Sequence, residues 1–192
     1  MRTYQVTTAA TTYPVSLTET KLHLKVDIGT DDTLITNLII AATELSEEYT
    51  NRFFIDTTIT QTCSNFNELK ELYKSPVISV TSVNYYDSDN ALQVLANTEY
   101  VVNNEFQPCQ INLADTKSYP NITTRVDAVN SVYKVGYGVA ATDVPHTIKQ
   151  AILLTIGNWY ANRQSIVVGR TFSELSQSAK WLLDTYKVQV IR

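Results

Sequence analysis

The stretch "SVYKVGYGVAATDVPHTIKQAILLTIGNWYANRQ", Ser131 to Gln164, decides how the fold is read. It starts as a strand rich in Val and Tyr and ends with apolar residues at helical spacing. Gly136 and Gly138 bracket Tyr137 between the two, in a chain with only five glycines. A Gly-x-Gly in that position can cradle a phosphate, or it can be a joint between two structural layers. A dinucleotide loop needs G-x-G-x-x-G opening directly into a helix, with an acidic residue after the next strand. Here Ala141 stands at the third glycine position, Pro145 starts the helix only later, and no second strand follows. The Gly-Lys-Ser/Thr phosphate loop is also absent. The stretch therefore reads as a structural joint made of Gly136, Tyr137, Gly138 and Pro145.

Helical spacing flanks this joint on both sides of a β-rich middle. "VSLTETKLHLKV" opens with Ser16 and Glu19 in S-x-x-E spacing, a capping box that predicts a short helix ending near Gly29. In "TDDTLITNLIIAATELSEEYTNRFF", Leu34, Leu38, Ala42, Leu45, Tyr49 and Phe53 form a stripe that Ile35 and Ile39 widen. Asp31 and Asp32 at its start suit the helix dipole. Glu44, Glu47 and Glu48 form a polar face, either solvated or set at the wall of an oligomer. From about Ile55 to Gly138, short runs of Val, Ile, Thr and Tyr predict strands. "DSDN" at 87–90 predicts a hairpin turn, and a break in alternation near Thr81 and Ser82 predicts a bulge. After Pro145, the face of Ile148, Ala151, Ile152, Thr155, Ile156 and Trp159 predicts a helix to about Arg163. Thr171 and Glu174 predict the start of a last one carrying Leu175, Ala179, Leu182, Leu183 and Tyr186.

The expected fold class is therefore α+β: a small core of about four helices with a β-rich insertion between the second and third. Residues 1–15 are expected to form an extended arm and 16–192 a single domain. Within it, 16–54 and 143–187 are helical, about 55–138 is the insertion, and 188–192 is a C-terminal tail.

Composition narrows the functional classes. The chain has 192 residues, 44% hydrophobic and 18% charged, enough to bury a core. Thr, Asn, Ser and Tyr replace charge on much of the surface, which suits a protein among partners and suits a solvated one equally. A net charge of −4 without a Lys/Arg cluster argues against dedicated nucleic-acid binding. No window has the apolar length of a membrane span, and the N-terminus lacks a signal-peptide centre, so cytoplasmic synthesis is the expectation. Cys63 and Cys109 match no zinc pattern and are expected to be buried or half-buried free thiols.

No catalytic set emerges, and no cofactor or metal is expected. His23 and His146 lie far apart in sequence on different helices, and no Ser or Cys sits in a nucleophile elbow. The carboxylates of "DSDN" and "TDD" lack calcium-loop spacing. Twelve tyrosines against five phenylalanines are a surplus of side chains with an apolar body and a polar tip. They serve either interfaces or the capping of the β insertion.

The order of these motifs resembles the head–tail connector (adaptor, head-completion) proteins of tailed bacteriophages. "VSLTETKLHL" (Val15 to Leu24), the Asp31 to Ala42 helix followed by Tyr49 to Phe53, "SPVISVTSVNYYD", the Gly-Tyr-Gly, the Val-Pro, the Tyr-x-x-Arg helix end and "AKWLLDTYK" follow in family order across residues 15–187. Tyr119-Pro120 replaces a usual Trp-Pro, and the Thr-rich arm is a departure. The resemblance implies a non-enzymatic virion protein of the neck, at the head–tail junction. Such a protein forms an oligomeric ring, a dodecamer in this family, between the portal protein and a stopper or tail-completion protein. DNA passes through its channel without specific binding, and no membrane is involved. The resemblance also implies that the C-terminal segment contacts the portal, here through Phe172, Trp181, Tyr186, Val188, Val190 and Ile191. Removal of 173–192 would then leave a folded core. The alternative is a ligand- or carbohydrate-binding module of a phage tail or fibre apparatus, with tyrosines stacking on sugars.

Overall fold

The computed structural model describes residues 3–162 and 175–189. Two compact units make up the chain: one from its start through Ala10, from Asn51–Tyr137 and from Val188 onward, the other from Thr11–Thr50 and Gly138–Lys187. The class is α+β.

The first unit is a five-stranded antiparallel sheet. Its strands are β1 (Thr3–Thr8), β2 (Thr57–Cys63), β3 (Val77–Tyr86), β4 (Leu92–Leu95) and β7 (Val129–Val135), in the order β1-β2-β7-β3-β4. A separate two-stranded ribbon pairs β5 (Tyr100–Asn103) with β6 (Gln110–Leu113). In both β2 and β7 every second residue is buried, the two-residue period of a sheet with one face on a core. Ile59, Cys63, Val83, Val129, Tyr133 and Val135 fill that core with Phe66, Leu69 and Leu72. Both cysteines are free and buried. Burial pushes the Cys109 thiol up to about 11, so it stays protonated and inert.

The predicted turn and bulge are both present. Asp87 Oδ1 accepts from the N–H groups of Asp89 (3.0 Å) and Ala91 (2.9 Å), closing the β3–β4 hairpin. The β3–β7 register shifts between Val80 and Ser82, and again between Val77 and Ser79. Three local features differ from the sequence reading. The start of the predicted arm is itself a strand, β1, paired antiparallel with β2. The first of the short β-rich runs, which starts at Thr57, stops at Cys63, because Asn65 caps a one-turn helix, α3 (Phe66–Leu69), by accepting from the Glu68 N–H at 2.9 Å. Residues 51–56 are not helical: Asn51 adopts φ 56°, the left-handed region, and ends the preceding helix at Thr50.

The second unit packs α1 (Leu17–Leu24), α2 (Asp32–Thr50), α4 (His146–Ala161) and α5 (Gln177–Asp184). Ser16 caps α1 as predicted, accepting from Glu19 N–H at 3.1 Å. The helix ends before Gly29, at Leu24, because Lys25 turns left-handed (φ 57°) and returns its N–H to Leu22. The stripe of α2 is rotated from the predicted one. Its buried line is Ile35, Ile39, Ala42, Thr43, Ser46 and Thr50, while Leu34, Leu38, Leu45 and Tyr49 are half-buried flanks. Thr43, Ser46 and Thr50 can be buried because each hydroxyl donates to the carbonyl four residues back, at 2.7–2.8 Å. On α4 the predicted face holds: Ile148, Ala151, Ile152, Thr155 and Ile156 are buried, and Trp159 is half-buried. The predicted end at Arg163 and the Thr171/Glu174 box lie outside the described residues.

Candidate functional site

The strongest candidate for contact with a partner is the outer face of α5. Ser176 caps the helix, accepting from Ala179 N–H at 3.2 Å. Ala179 and Leu183, one helical turn apart, are fully buried, and Leu175 is 3% exposed. Trp181 lies between them in sequence, on the opposite side of the helix, and is 67% exposed. An indole left this far in water is costly surface for an isolated chain and a common anchor at interfaces.

The platform under Trp181 is tied down at its C-terminal end. Tyr49 on α2 donates its hydroxyl proton to Asp184, and Lys187 lies over the Tyr49 ring at 4.4 Å. The hydrogen bond to Asp184, with burial and the carboxylate's charge behind it, raises the Tyr49 pKa, so the phenol stays a donor. Tyr186 is half-buried, its N–H bonded to the Leu183 carbonyl at 2.9 Å. Of the three predicted contact residues that are described, Trp181, Tyr186 and Val188, only Trp181 stands out into solvent. Val188 is 6% exposed and offers a partner little surface. Phe172, Val190 and Ile191 lie outside the described residues.

The joint residues have distinct surroundings. Gly136 has φ +131°, and a Cβ there would sit 2.6 Å from the Ile55 carbonyl carbon. Its N–H bonds the Pro76 carbonyl at 2.9 Å, and Tyr137 N–H bonds Phe54 at 3.1 Å. Gly138 is crowded differently: its missing Cβ would meet the Asp143 carboxylate, whose Oδ2 accepts from Ala140 N–H at 3.0 Å. Pro145 is the N-cap of α4 rather than a first-turn residue, and its carbonyl accepts from Ile148 and Lys149.

The histidines do not meet. His23 lies beside Gly157, about 16 Å along α4 from His146 by the rise of a helix. Among the described residues, no group of three or more His, Cys, Asp or Glu is placed to hold a metal ion. No described helix is long and apolar enough to cross a membrane.

Sequence reasoning missed the edge strand β1, although Tyr4 and Val6 alternate within its six residues. It also missed Leu22, 81% exposed on α1, and Phe106, 54% exposed between β5 and β6. Their apolar character was legible, but their exposure depends on which face each element turns inward.

Comparison with known proteins adds a family and a fold. The family described as phage gp6-like head-tail connector proteins matches residues 14–115, more than half of the chain. No curated protein matches. Among solved structures, a chain from the neck of an empty gene transfer agent particle, computed with C6 symmetry, superposes with a TM-score of 0.80 at 16% identity. That match covers 99% of this chain and 97% of the other. A chain from the virion of a native gene transfer agent particle gives 0.79 at 17% identity, covering 98% and 97%. One from the neck of the native particle, computed with C12 symmetry, gives 0.76 at 16%, covering 99% and 97%. At such identities the likeness is one of fold.

Proposed function

The chain belongs to the phage gp6-like head-tail connector protein family, and from that premise we propose that it is the adaptor of a virion neck. In this reading it is a structural, non-enzymatic protein whose copies form a ring between the portal and the stopper or tail, extending the DNA channel. The observation that carries the reading is the family match across residues 14–115. The near-complete coverage of chains from particle necks and a virion supports it. A net charge of −4 suits a channel through which DNA slides without sticking.

The portal contact is assigned to the exposed face of α5, with Trp181 as its anchor. Deleting 173–192 would not test this cleanly. It would remove Leu175, Ala179 and Leu183 from the buried core together with the contact. Trp181→Ala separates the two, since substitution of a side chain 67% exposed costs the fold within about 0.5 kcal/mol. Cosedimentation with portal rings is expected to weaken at least about tenfold, the loss of one interface anchor. Undiminished binding by a variant with wild-type melting would remove α5 from the interface.

A further inference from the structure

β1 is an edge strand without most of the devices that keep edge strands solitary. The sheet ends on β1 at one side and on β4 at the other. All six residues of β1, TYQVTT, are exposed, and none is charged or proline. Natural edges are usually blunted by a charge, a proline or short length. Here the one irregularity is a register shift between Val6 and Thr8. Beyond β1 no strand lies among the described residues, and among them no backbone group bonds to its outer row of N–H and C=O groups. β4, LQVL, is uncharged as well, with Leu92 57% and Val94 68% exposed.

The strand directions say how two such edges can meet. Each neighbouring pair in the order β1-β2-β7-β3-β4 is antiparallel, so β1, β7 and β4 run in the same sense. A second copy placed head to tail, with its sheet in the same sense, sets its β1 beside β4 of the first in parallel. The starts of the two strands then lie together.

We infer that neighbouring copies join through this sheet, β4 of one copy pairing in parallel with β1 of the next. The inference rests on the ring reading above and supplies its lateral contact. Because the two edges differ, the contact is heterologous and repeats around a closed ring, whereas β1 pairing with β1 would stop at a dimer. Pairing satisfies the outward backbone rows, as when a peptide adds a strand to a sheet.

Disulfide trapping in assembled particles tests it. Gln5 is in register with Thr60 and Val132, and Val94 with Asn84 and Asn130, so Gln5 and Val94 share one face of the sheet. Leu92 shares that face too. The native thiols are buried and stay out of the reaction. Under mild oxidation, Q5C/V94C or Q5C/L92C is expected to give a ladder of linked copies beyond the dimer on a non-reducing gel, and each single variant only monomer. Rings visible by negative stain with no ladder from either double variant would overturn the inference and leave the ring reading standing. Dimers from Q5C alone would overturn it in favour of β1–β1 pairing. Wild-type protein that forms no ring even on portal would overturn both.

Discussion

Gly136→Ala is expected to be the most damaging single-methyl change in the protein. The added Cβ would lie 2.6 Å from the Ile55 carbonyl carbon, 2.7 Å from its oxygen and 2.8 Å from the Asp56 nitrogen. All three are backbone atoms and cannot swing aside. The φ of +131° is itself strained for an L side chain. Together, about 1–3 kcal/mol of backbone strain and a similar overpacking term give a loss of about 2–6 kcal/mol. For a chain of this length that lowers the melting temperature by roughly 10 °C. Gly138→Ala is the internal control. Its clash is with the Asp143 side chain, which can rotate at the cost of one hydrogen bond, about 1 kcal/mol. Thermal melts followed by circular dichroism should rank wild type, G138A and G136A in that order. A G136A variant that melts like wild type would show that the close approach to Ile55 is not needed.

The second large effect is expected at Gln61, buried in the sheet unit beside Tyr133, both fully inaccessible. Gln61 Oε1 accepts from the Tyr133 hydroxyl at 2.8 Å and from Tyr73 N–H at 2.9 Å, while its Nε2 donates to the Glu71 carbonyl at 3.0 Å. Tyr73 N–H also reaches the Tyr133 hydroxyl at 3.2 Å, which closes the network. The cluster pins the segment after α3 to the sheet. Gln61→Leu keeps the volume but takes a buried acceptor and donor from three groups at once, an expected loss of about 3 kcal/mol. Tyr133→Phe removes one hydroxyl and should cost about 1–2 kcal/mol. Since both act on one network, the double variant should fall short of the sum. Urea denaturation of the four proteins measures this, and full additivity would contradict the network.

Much of this fold was legible because its long elements have clean periods. The apolar face of α4 can be counted directly in the sequence, and β2 and β7 stand in runs rich in Val, Ile, Thr and Tyr. The "DSDN" turn and the bulge at Thr81 were legible for a related reason, since each needs a particular local chemistry. What failed was the reading of polar residues. Thr43, Ser46 and Thr50 look like the solvent side of α2, yet they line its buried face because their hydroxyls bond back into the helix. Gln61 looks exposed by its polarity, yet it stands two residues from Ile59 on the same face of the strand, and both point into the core. The intervening Thr60 is the outward residue. β1 was hidden for another reason: a Thr-rich segment reads as an arm until β2, some fifty residues later, supplies its ladder. The candidate contact was half legible. Trp181 and Leu183 both belong to an apolar-rich helix, and only packing assigns one outward and the other inward.

Cryo-electron microscopy of the purified virion neck would show whether the protein stands at the head–tail junction. The expected result is a ring in the layer next to the portal into whose density the α+β fold of each copy fits, with α5 turned toward the portal. A portal-proximal layer without that ring would contradict it.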